Sequence, residues 1–521
     1  MARADDFDLA AALKQKNFTP SVKDVPALVE LVAAGDDRAA AALVPFGDIA
    51  RTRLIGAWRG DDAGPARFTD EGEAARLVQA TGLFARKADS AAREALLGAL
   101  HDPRVRVRRA AISGLAHLEG DDIRAALVAR WDASPPADEK RALAEALGKL
   151  GGDEAIARLR ALDPAGDAEL ARRRDRALVM TDRGALRGTE SRVRVEVAPP
   201  SPVACVLHCK GGLADVLVNE LRTLAIEAIA QRDDTVHLAL HGPITTLFRS
   251  RLWITMGLRV PRPGGPLEPS IVDGIVGARK LFAALTDGPI RWRMDMPEGK
   301  QRAVVWRVAR DVAAQASELV NDPADTTWDV RVVDDGLELG PRRMDDPRFA
   351  YRVADVPAAS HPTVAAALAR LAQPTGLERV WDPFCGSGLE LIECARLAPE
   401  VRLSGTDLDA KALDAARANA AGLTIDLQKI DSRDVGGAGD LDLVITNPPL
   451  GSRVQVAAAP LLKAILPVIA RRLVKKGRLV WITPAPRETA PVAEQLGLVQ
   501  MHRSPIDLGG VRGQLERWVK R

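Results

Sequence analysis

Two short segments in the last third of the chain carry residues suited to chemistry. The first runs from Val380 to Gly388 and predicts an apolar strand, the acidic Asp382 at its carboxyl end, a glycine turn and a helix start. Such a turn lets a ligand approach the backbone, and a helix amino terminus favours negative groups. A second predicted strand ends at Asp407, whose carboxylate can accept both hydroxyls of a ribose. Together they predict a nucleoside-cofactor site at the strand ends of an open α/β sheet.

The glycine spacing distinguishes between cofactors. A dinucleotide fingerprint needs a third glycine where this chain has Leu391, and a nucleophile elbow fails because Phe384 and Cys385 precede Gly386. The run Asp-x-Phe-x-Gly-x-Gly, with an acidic residue ending the next strand, resembles the S-adenosylmethionine (SAM) methyltransferase fold. The resemblance implies SAM as cofactor, placed against Asp382, Phe384, Gly386, Gly388 and Asp407.

The second segment, Asn447-Pro448-Pro449-Leu450, follows the apolar predicted strand Leu441 to Thr446. The prolines fix the backbone, so the Asn447 amide oxygen and the Pro448 carbonyl become two rigid acceptors. Two acceptors on an exocyclic amine would orient its nitrogen toward a methyl group and promote pyramidalisation. The segment resembles the motif of amino-group methyltransferases, which normally ends in an aromatic residue that stacks on a flipped base; Leu450 offers less stacking energy.

Composition limits the classes of protein. The 521 residues suffice for three or four domains, and 73 basic against 70 acidic side chains give a net charge of only +3. A nucleic-acid surface would therefore be a local patch. The absence of a long apolar run or signal-peptide core predicts a soluble, cytoplasmic protein without membrane contact. Cys205, His208 and Cys209 lie on a predicted strand with alternating faces, so no metal site is predicted.

Residues 20–187 predict successive helices with an internal repeat. Residues 101–121 align with 133–153 at an offset of about 32 residues, and the segment resembles HEAT-type helical repeats, an α-solenoid. Arginines cluster near residues 104–109 and 172–187. They form either solvated helix faces with acidic partners or a phosphate-tracking surface, and the sequence leaves both open.

The middle of the chain predicts mixed α/β structure. A strand from Val203 to His208 precedes the turn Lys210-Gly211-Gly212 and a helix from Leu213 to Ala230, and a later helix runs from Ala303 to about Leu319. This order resembles the ferredoxin-like plus THUMP module of RNA-modifying enzymes over residues 200–340.

The segments around Arg348, Ser360, Asp382 and Asn447 occur in the order found in THUMP-containing RNA guanine-N2 methyltransferases. The resemblance implies a three-part chain: an N-terminal α-solenoid at 20–187, an α+β ferredoxin-like/THUMP module at 200–340 and an α/β Rossmann-like class I methyltransferase domain with a mixed seven-stranded sheet at 347–521. The solenoid is absent from the usual pattern.

The resemblance also implies individual roles. Asp434 would hold the adenine amine of SAM. His361, Thr363, Asp409 and Asn419 are further candidates, although helix caps and helix ends explain them too. The implied substrate contacts are Lys210, Lys300, Arg302, Arg307 and Arg453.

The leading hypothesis is methyl transfer from SAM to the N2 amine of a guanosine in structured RNA, tRNA in preference to rRNA. Its catalytic residues would be Asn447, Pro448, Pro449 and Leu450. The alternatives are an rRNA guanine-N2 methyltransferase, a protein glutamine N-methyltransferase, and a non-catalytic RNA-binding or assembly factor with a vestigial SAM pocket. A protein partner on the solenoid is a further expectation.

Overall fold

The computed structural model describes residues 8–15, 17–60, 66–186, 188–296, 301–357, 359–449 and 458–521. The chain divides into two compact units. One comprises residues 1–190 with 301–322, and the other comprises residues 191–300 with 323–521.

The amino-terminal part of the first unit is helical. Aspartates begin several helices: the Asp36, Asp70 and Asp89 carboxylates each accept hydrogen bonds from backbone amides of the following turn. The helices are α1 (Leu9–Ala12), α2 (Val25–Ala34), α3 (Asp37–Leu43), α4 (Gly47–Arg59), α5 (Glu71–Ala85), α6 (Ser90–Ala99), α7 (Val105–Leu115), α8 (Asp121–Asp132), α9 (Ala137–Leu150), α10 (Asp153–Ala161) and α11 (Ala168–Ala185).

The 32-residue offset of the sequence reappears in the helix positions. Helices α7 and α8 begin at residues 105 and 121, whereas α9 and α10 begin at 137 and 153, each 32 residues later. The matched leucines Leu115 and Leu147 are both fully buried in one apolar core. Equivalent positions of the two helix pairs therefore do equivalent packing, as repeat architectures require.

Several of the clustered arginines have acidic partners within this unit. Arg104 pairs with Asp102, and the buried Arg108 guanidinium donates to Glu139. Arg173 donates to Glu169 at 2.8 Å. These contacts favour the interpretation as solvated and paired helix faces over a phosphate-tracking surface, because an engaged guanidinium must lose a carboxylate to gain a phosphate.

The first part of the second unit is built on an antiparallel sheet. Within this unit the strands of that sheet run in the order β3-β4-β2-β5-β10-β9-β7, where β9 is Trp328–Val333 and β10 is Gly336–Pro341, and β7 and β9 are parallel. The elements up to residue 300 are β1 (Arg192–Val193), β2 (Val203–Cys209), α12 (Ala214–Thr223), β3 (Ala228–Arg232), β4 (Thr235–Leu240), β5 (Trp253–Val260), α13 (Leu267–Gly277), α14 (Arg279–Leu285), β6 (Thr286–Asp287) and β7 (Ile290–Asp295).

The helix predicted from Leu213 to Ala230 is shorter than expected. Helix α12 ends at Thr223, Ala225 takes a left-handed φ of 60°, and the Ala-Ile-Ala run that follows pairs with β4 as strand β3. The prediction was wrong here because helix-forming residues were placed in an edge strand by tertiary pairing.

Residues 301–322 group with the first unit, whereas the sequence placed them in the 200–340 module. They form α15 (Arg302–Gln315) and β8 (Leu319–Asn321). The Arg176 guanidinium lies 5.3 Å from the centroid of the Trp306 ring, and Arg310 pairs with Asp175 at 3.6 Å. Both contacts join α15 to α11, which is the physical reason for the different boundary.

The rest of the second unit contains the predicted mixed seven-stranded sheet, in the order β13-β12-β11-β14-β15-β17-β16. Strands β11 to β15 are parallel, and β17 is antiparallel to both β15 and β16. After β9 (Trp328–Val333) and β10 (Gly336–Pro341), the elements are α16 (Pro362–Ala372), β11 (Arg379–Asp382), α17 (Leu389–Leu397), β12 (Arg402–Asp407), α18 (Ala410–Asn419), β13 (Ile425–Lys429), β14 (Leu441–Thr446), α19 (Ala458–Arg472), β15 (Leu473–Thr483), α20 (Pro486–Gln495), β16 (Leu498–Asp507) and β17 (Arg512–Lys520).

The sequence predicts a helix over Leu461 to Leu473, stopped by Lys475-Lys476-Gly477, and a strand from Arg478 to Thr483. Helix α19 ends at Arg472, within one residue of that prediction, whereas β15 begins at Leu473, five residues before the predicted strand start. Lys476 takes a left-handed φ of 65° within that strand. The basic and glycine residues therefore mark an irregularity of the strand. In the part of the chain described, no helix has the length and apolarity needed to cross a membrane.

Candidate active site

The turn after β11 is held from inside the sheet. Asp382 is fully buried, and its Oδ1 accepts a hydrogen bond from the Phe384 amide at 3.0 Å. Gly386 and Gly388 take φ values of 48° and 81°, a region that L side chains rarely adopt. A Cβ on Gly388 would lie 3.2 Å from the Ala416 Cβ, so this glycine also permits α18 to approach.

Asp407 binds the turn from the neighbouring strand. Its Oδ2 accepts from the Gly386 amide at 2.9 Å, and its Oδ1 accepts from the Asp409 amide at 2.9 Å. Each carboxylate oxygen has two lone pairs, so both retain capacity for a ligand hydroxyl. Asp409 accepts a hydrogen bond from the Lys411 amide and so caps α18. This is the helix-cap role that the sequence offered as an alternative to cofactor binding.

Asn447 follows the end of β14, and the NH₂ side of its side-chain amide is held by a hydrogen bond. Asn447 Nδ2 donates to the Ser360 hydroxyl at 2.9 Å, and that hydroxyl donates to Glu390 Oε1. Asn447 Oδ1 is buried and has no hydrogen-bond partner among the described residues. A buried acceptor without a donor is costly unless a ligand supplies one.

These elements enclose one cavity of about 990 Å³. It brings together the predicted residues Lys210, Phe384, Gly386, Asp407, Asn447, Pro448 and Pro449. Asp382 and Gly388 stand behind the lining and shape the turn. Asp434 is exposed at the end of the 3-10 turn Ser432–Asp434, beyond the lining residues Asp431, Ser432 and Arg433.

The remaining predicted contacts lie elsewhere. Arg302 and Arg307 belong to α15 in the first unit. Lys300, Leu450 and Arg453 lie outside the described residues.

Lys210 reaches the cavity because its turn packs against the hairpin between β16 and β17. The Asp507 amide donates to the Gly211 carbonyl at 3.0 Å. Gly212 has a φ of 89°, and a Cβ there would lie 1.8 Å from the Pro505 carbonyl oxygen. Only glycine fits at this crossing, so the β2–α12 turn forms part of the wall of the site.

His361 lines the cavity in its neutral form. Burial, together with the nearby Lys210, Arg352 and Arg348 charges, lowers the pKa of His361 to about 4. The ring begins α16 by accepting from the Thr363 amide. The helix-start explanation of His361 and Thr363 is therefore confirmed, while His361 still faces the site.

Residues 350–514 match the family model described as RMKL-like, methyltransferase domain. By this match, residues 350–514 are similar to a methyltransferase domain. A tRNA (guanine(6)-N2)-methyltransferase of Archaeoglobus fulgidus is 28% identical over 252 residues, covering 42% of this chain and 64% of the relative. A tRNA (guanine(10)-N2)-dimethyltransferase of Methanothermobacter thermautotrophicus is 31% identical over 104 residues, 19% of this chain and 30% of the relative. The chain thus spans less than two thirds of the length of either relative. Among solved structures, TrmN from Thermus thermophilus is 23% identical, with a TM-score of 0.49, over 61% of this chain and 100% of its own.

The residues of the methyltransferase domain fit SAM, the predicted cofactor. Asp407 has free lone pairs for two ribose hydroxyls. Gly386 lines the cavity, and a Cβ added there would meet no protein atom within 4 Å, so its side chain would take up cavity space. Within the described residues, no group of three or more His, Cys, Asp or Glu side chains is arranged to hold a metal ion.

Two further cavity residues were missed by sequence reasoning, Ser360 and Glu390. Glu390 is 4% exposed in the first turn of α17, beside Asp382. Burial raises the pKa of both carboxyls, that of Glu390 to about 7. The signal in the sequence was a carboxylate set directly after the glycine turn, within the apolar run Leu389 to Ile392.

The Glu390 carboxyl predicts a pH-dependent stability. Because its folded pKa of about 7 exceeds the usual 4.5, the folded state holds the proton more tightly, and the free energy of unfolding falls as pH rises from 4.5 to 7. Glu390→Gln removes this loss, so its stability relative to the parent should rise by at most about 3 kcal/mol over that interval. Urea unfolding across pH 4 to 8 measures the difference. A difference that is constant with pH would contradict the assignment.

Proposed function

We propose that this protein transfers a methyl group from SAM to the N2 amine of a guanosine in structured RNA, tRNA in preference to rRNA. The observation that carries the proposal is Asn447 Oδ1, a buried acceptor without a donor on the wall that also holds the Asp407 turn. Two relatives are tRNA guanine-N2 methyltransferases by name, which favours guanine in tRNA as the acceptor.

The chemistry requires little of the protein beyond positioning. SAM, when bound, supplies an electrophilic methyl group. Asn447 Oδ1 and the Pro448 carbonyl would accept the two amine hydrogens, which directs the nitrogen lone pair toward that methyl. Neither acceptor is basic, and His361 has a pKa of about 4, so the proton released after transfer passes to water.

The binding roles follow the same proposal. Phe384, Gly386 and Asp407 would contact SAM directly, Asp382 and Gly388 would hold the turn, and Asp434 would reach the adenine amine. Leu450 would pack on the guanine face and Arg453 would contact a phosphate. Residues 200–340 would act as a THUMP-like RNA-binding module. The helices of 20–187 would act as HEAT-like repeats that bind RNA or a protein partner. The protein would act in the cytoplasm.

Lys210 gives this proposal a test at the substrate side. It lines the cavity from the β2–α12 turn, so a phosphate beside the target nucleotide would meet its ammonium group. Lys210→Ala should weaken RNA binding about three- to tenfold and reduce the salt dependence by about one phosphate contact. SAM affinity should not change. Lys475→Ala, an exposed lysine on β15, is the matched control. Equal losses in both variants would count against a specific contact.

The decisive experiment is transfer of labelled methyl from SAM to tRNA and, separately, to rRNA, with nucleoside analysis of the product. N2-methylguanosine in tRNA is the expected result, and label in rRNA alone would change the substrate. Label that survives ribonuclease and appears on glutamine would identify a protein acceptor. RNA binding without SAM binding would identify a non-catalytic factor.

A further inference from the structure

The amide of Asn447 must be held in one orientation to act as an acceptor. A side-chain amide has an oxygen and an NH₂ of nearly the same size, and a half-turn exchanges them. In the exchanged orientation the NH₂ would face the incoming amine, donor against donor. The proposed reaction therefore needs a device that distinguishes the two orientations.

Three separate elements supply such a device. Ser360 precedes α16, Glu390 lies in the first turn of α17, and Asn447 follows β14. The Asn447 Nδ2 to Ser360 Oγ distance is 2.9 Å, and Ser360 Oγ in turn contacts Glu390 Oε1. A serine hydroxyl has a single hydrogen. When the Glu390 carboxylate accepts that hydrogen, Ser360 can only accept from Asn447, and Nδ2 must face it.

We propose that Ser360 and Glu390 are positioning residues that fix the Asn447 amide with Oδ1 toward the target amine. The inference deepens the proposed function and rests on it for its catalytic consequence. The orientation itself is a property of the protein alone. It explains why Oδ1 is the atom left buried without a partner, while Nδ2 is bonded.

The device depends on the charge of Glu390. A protonated Glu390 can donate its own hydrogen to Ser360, and the hydroxyl is then free to donate to Asn447 Oδ1, which permits the exchanged orientation. Burial raises the pKa of Glu390 to about 7, so this change falls within a measurable range. Titratable groups face Glu390 from each neighbouring element: Asp382 of β11, Cys385 of the glycine turn, Glu393 and Cys394 of α17, and Tyr351 of the segment before α16. The charge of Glu393 is paired with Arg251, which lies just before β5.

The first readout needs neither SAM nor RNA. The chain has five asparagines, so selective ¹⁵N labelling gives five side-chain amide pairs, and Asn447→Ala identifies the relevant one. In the parent protein the Asn447 amide shift should titrate near pH 7. The titration should disappear in Ser360→Ala and in Glu390→Gln, and persist in Ser360→Thr, which keeps the hydroxyl. If the chemical shift of the Asn447 amide changes neither with pH nor with either substitution, the proposal is wrong.

The second readout is single-turnover methyl transfer at saturating SAM and RNA. Ser360→Ala should lower the rate about tenfold or more, with SAM affinity changed less than threefold, and should remove the rise in rate between pH 6 and 8. Ser360→Thr should restore most of the rate. A Ser360→Ala variant that retains the parent's rate and pH profile would contradict the positioning role. If the parent itself transfers no methyl group while the amide still titrates, the proposed function fails and the positioning inference stands.

Discussion

Asn447→Ala should lower the single-turnover rate of methyl transfer about a hundred- to a thousandfold, with SAM affinity largely unchanged. The substitution removes one of the two acceptors proposed for the target amine, and loss of one preorganised hydrogen-bond partner at a reacting group has an effect of this size. SAM binding should survive because Asp382 and Asp407 hold the cofactor turn by accepting from the Phe384 and Gly386 amides, and these two hydrogen bonds do not use the Asn447 side chain. Rapid-quench kinetics and calorimetry with SAM separate the two quantities.

Asn219→Ala is the matched control for this substitution. Asn219 is exposed on α12, where its Oδ1 accepts a hydrogen bond from Arg222, so the same chemical change there should leave both the rate and SAM binding unaltered. Full activity of Asn447→Ala would disprove the proposed catalytic role. Loss of SAM binding equal to the loss of rate would instead assign Asn447 to the cofactor site.

Asp407→Ala should weaken SAM binding about a hundredfold or more. Two hydrogen bonds from ribose hydroxyls to a carboxylate contribute about 1.5–3 kcal/mol each. The substitution also releases the Gly386 amide, which Asp407 Oδ2 now holds at 2.9 Å, so the turn loses its fixed shape. Isothermal titration with SAM and with its demethylated product measures the change.

The control for Asp407→Ala lies on the next helix. Asp414 is exposed on α18 and pairs with Arg417 at 2.8 Å, so Asp414→Ala should bind SAM as the parent does. Asp407→Asn retains one acceptor and should fall between the two. An unchanged SAM affinity in Asp407→Ala would place the cofactor away from β12.

The sequence predicted the core of the methyltransferase domain because that core follows local rules. Buried parallel strands appear as continuous apolar runs, and the residues at their ends, Asp382, Asp407 and Asn447, are polar in otherwise apolar surroundings. The seven-stranded sheet is confirmed, and the cavity brings Phe384, Gly386, Asp407 and Asn447 together.

The failures of prediction share a physical cause. The end of the helix assigned to residues 213–230 and the early start of β15 at Leu473 were decided by strand pairing between distant residues, which no local pattern contains. Ser360 and Glu390 were missed for a related reason: Ser360 lies 87 residues from Asn447 in the chain, and their contact exists only once α16, α17 and β14 meet. The grouping of 301–322 with the first unit depends likewise on Trp306 and Arg176.

The crossing of Gly212 over Pro505 has a consequence for protein engineering. Gly212, which has no Cβ, lies against the Pro505 carbonyl of one particular hairpin, and the Gly211 carbonyl accepts a hydrogen bond from the Asp507 amide of the same hairpin. A chimera that exchanges the 200–340 segment between related enzymes must therefore carry the 505–511 hairpin along with it. Exchanged alone, either partner would bring a mismatched surface to the wall of the cavity, and the hybrid would lose the placement of Lys210. The two segments must therefore be exchanged together, although almost 300 residues separate them in the chain.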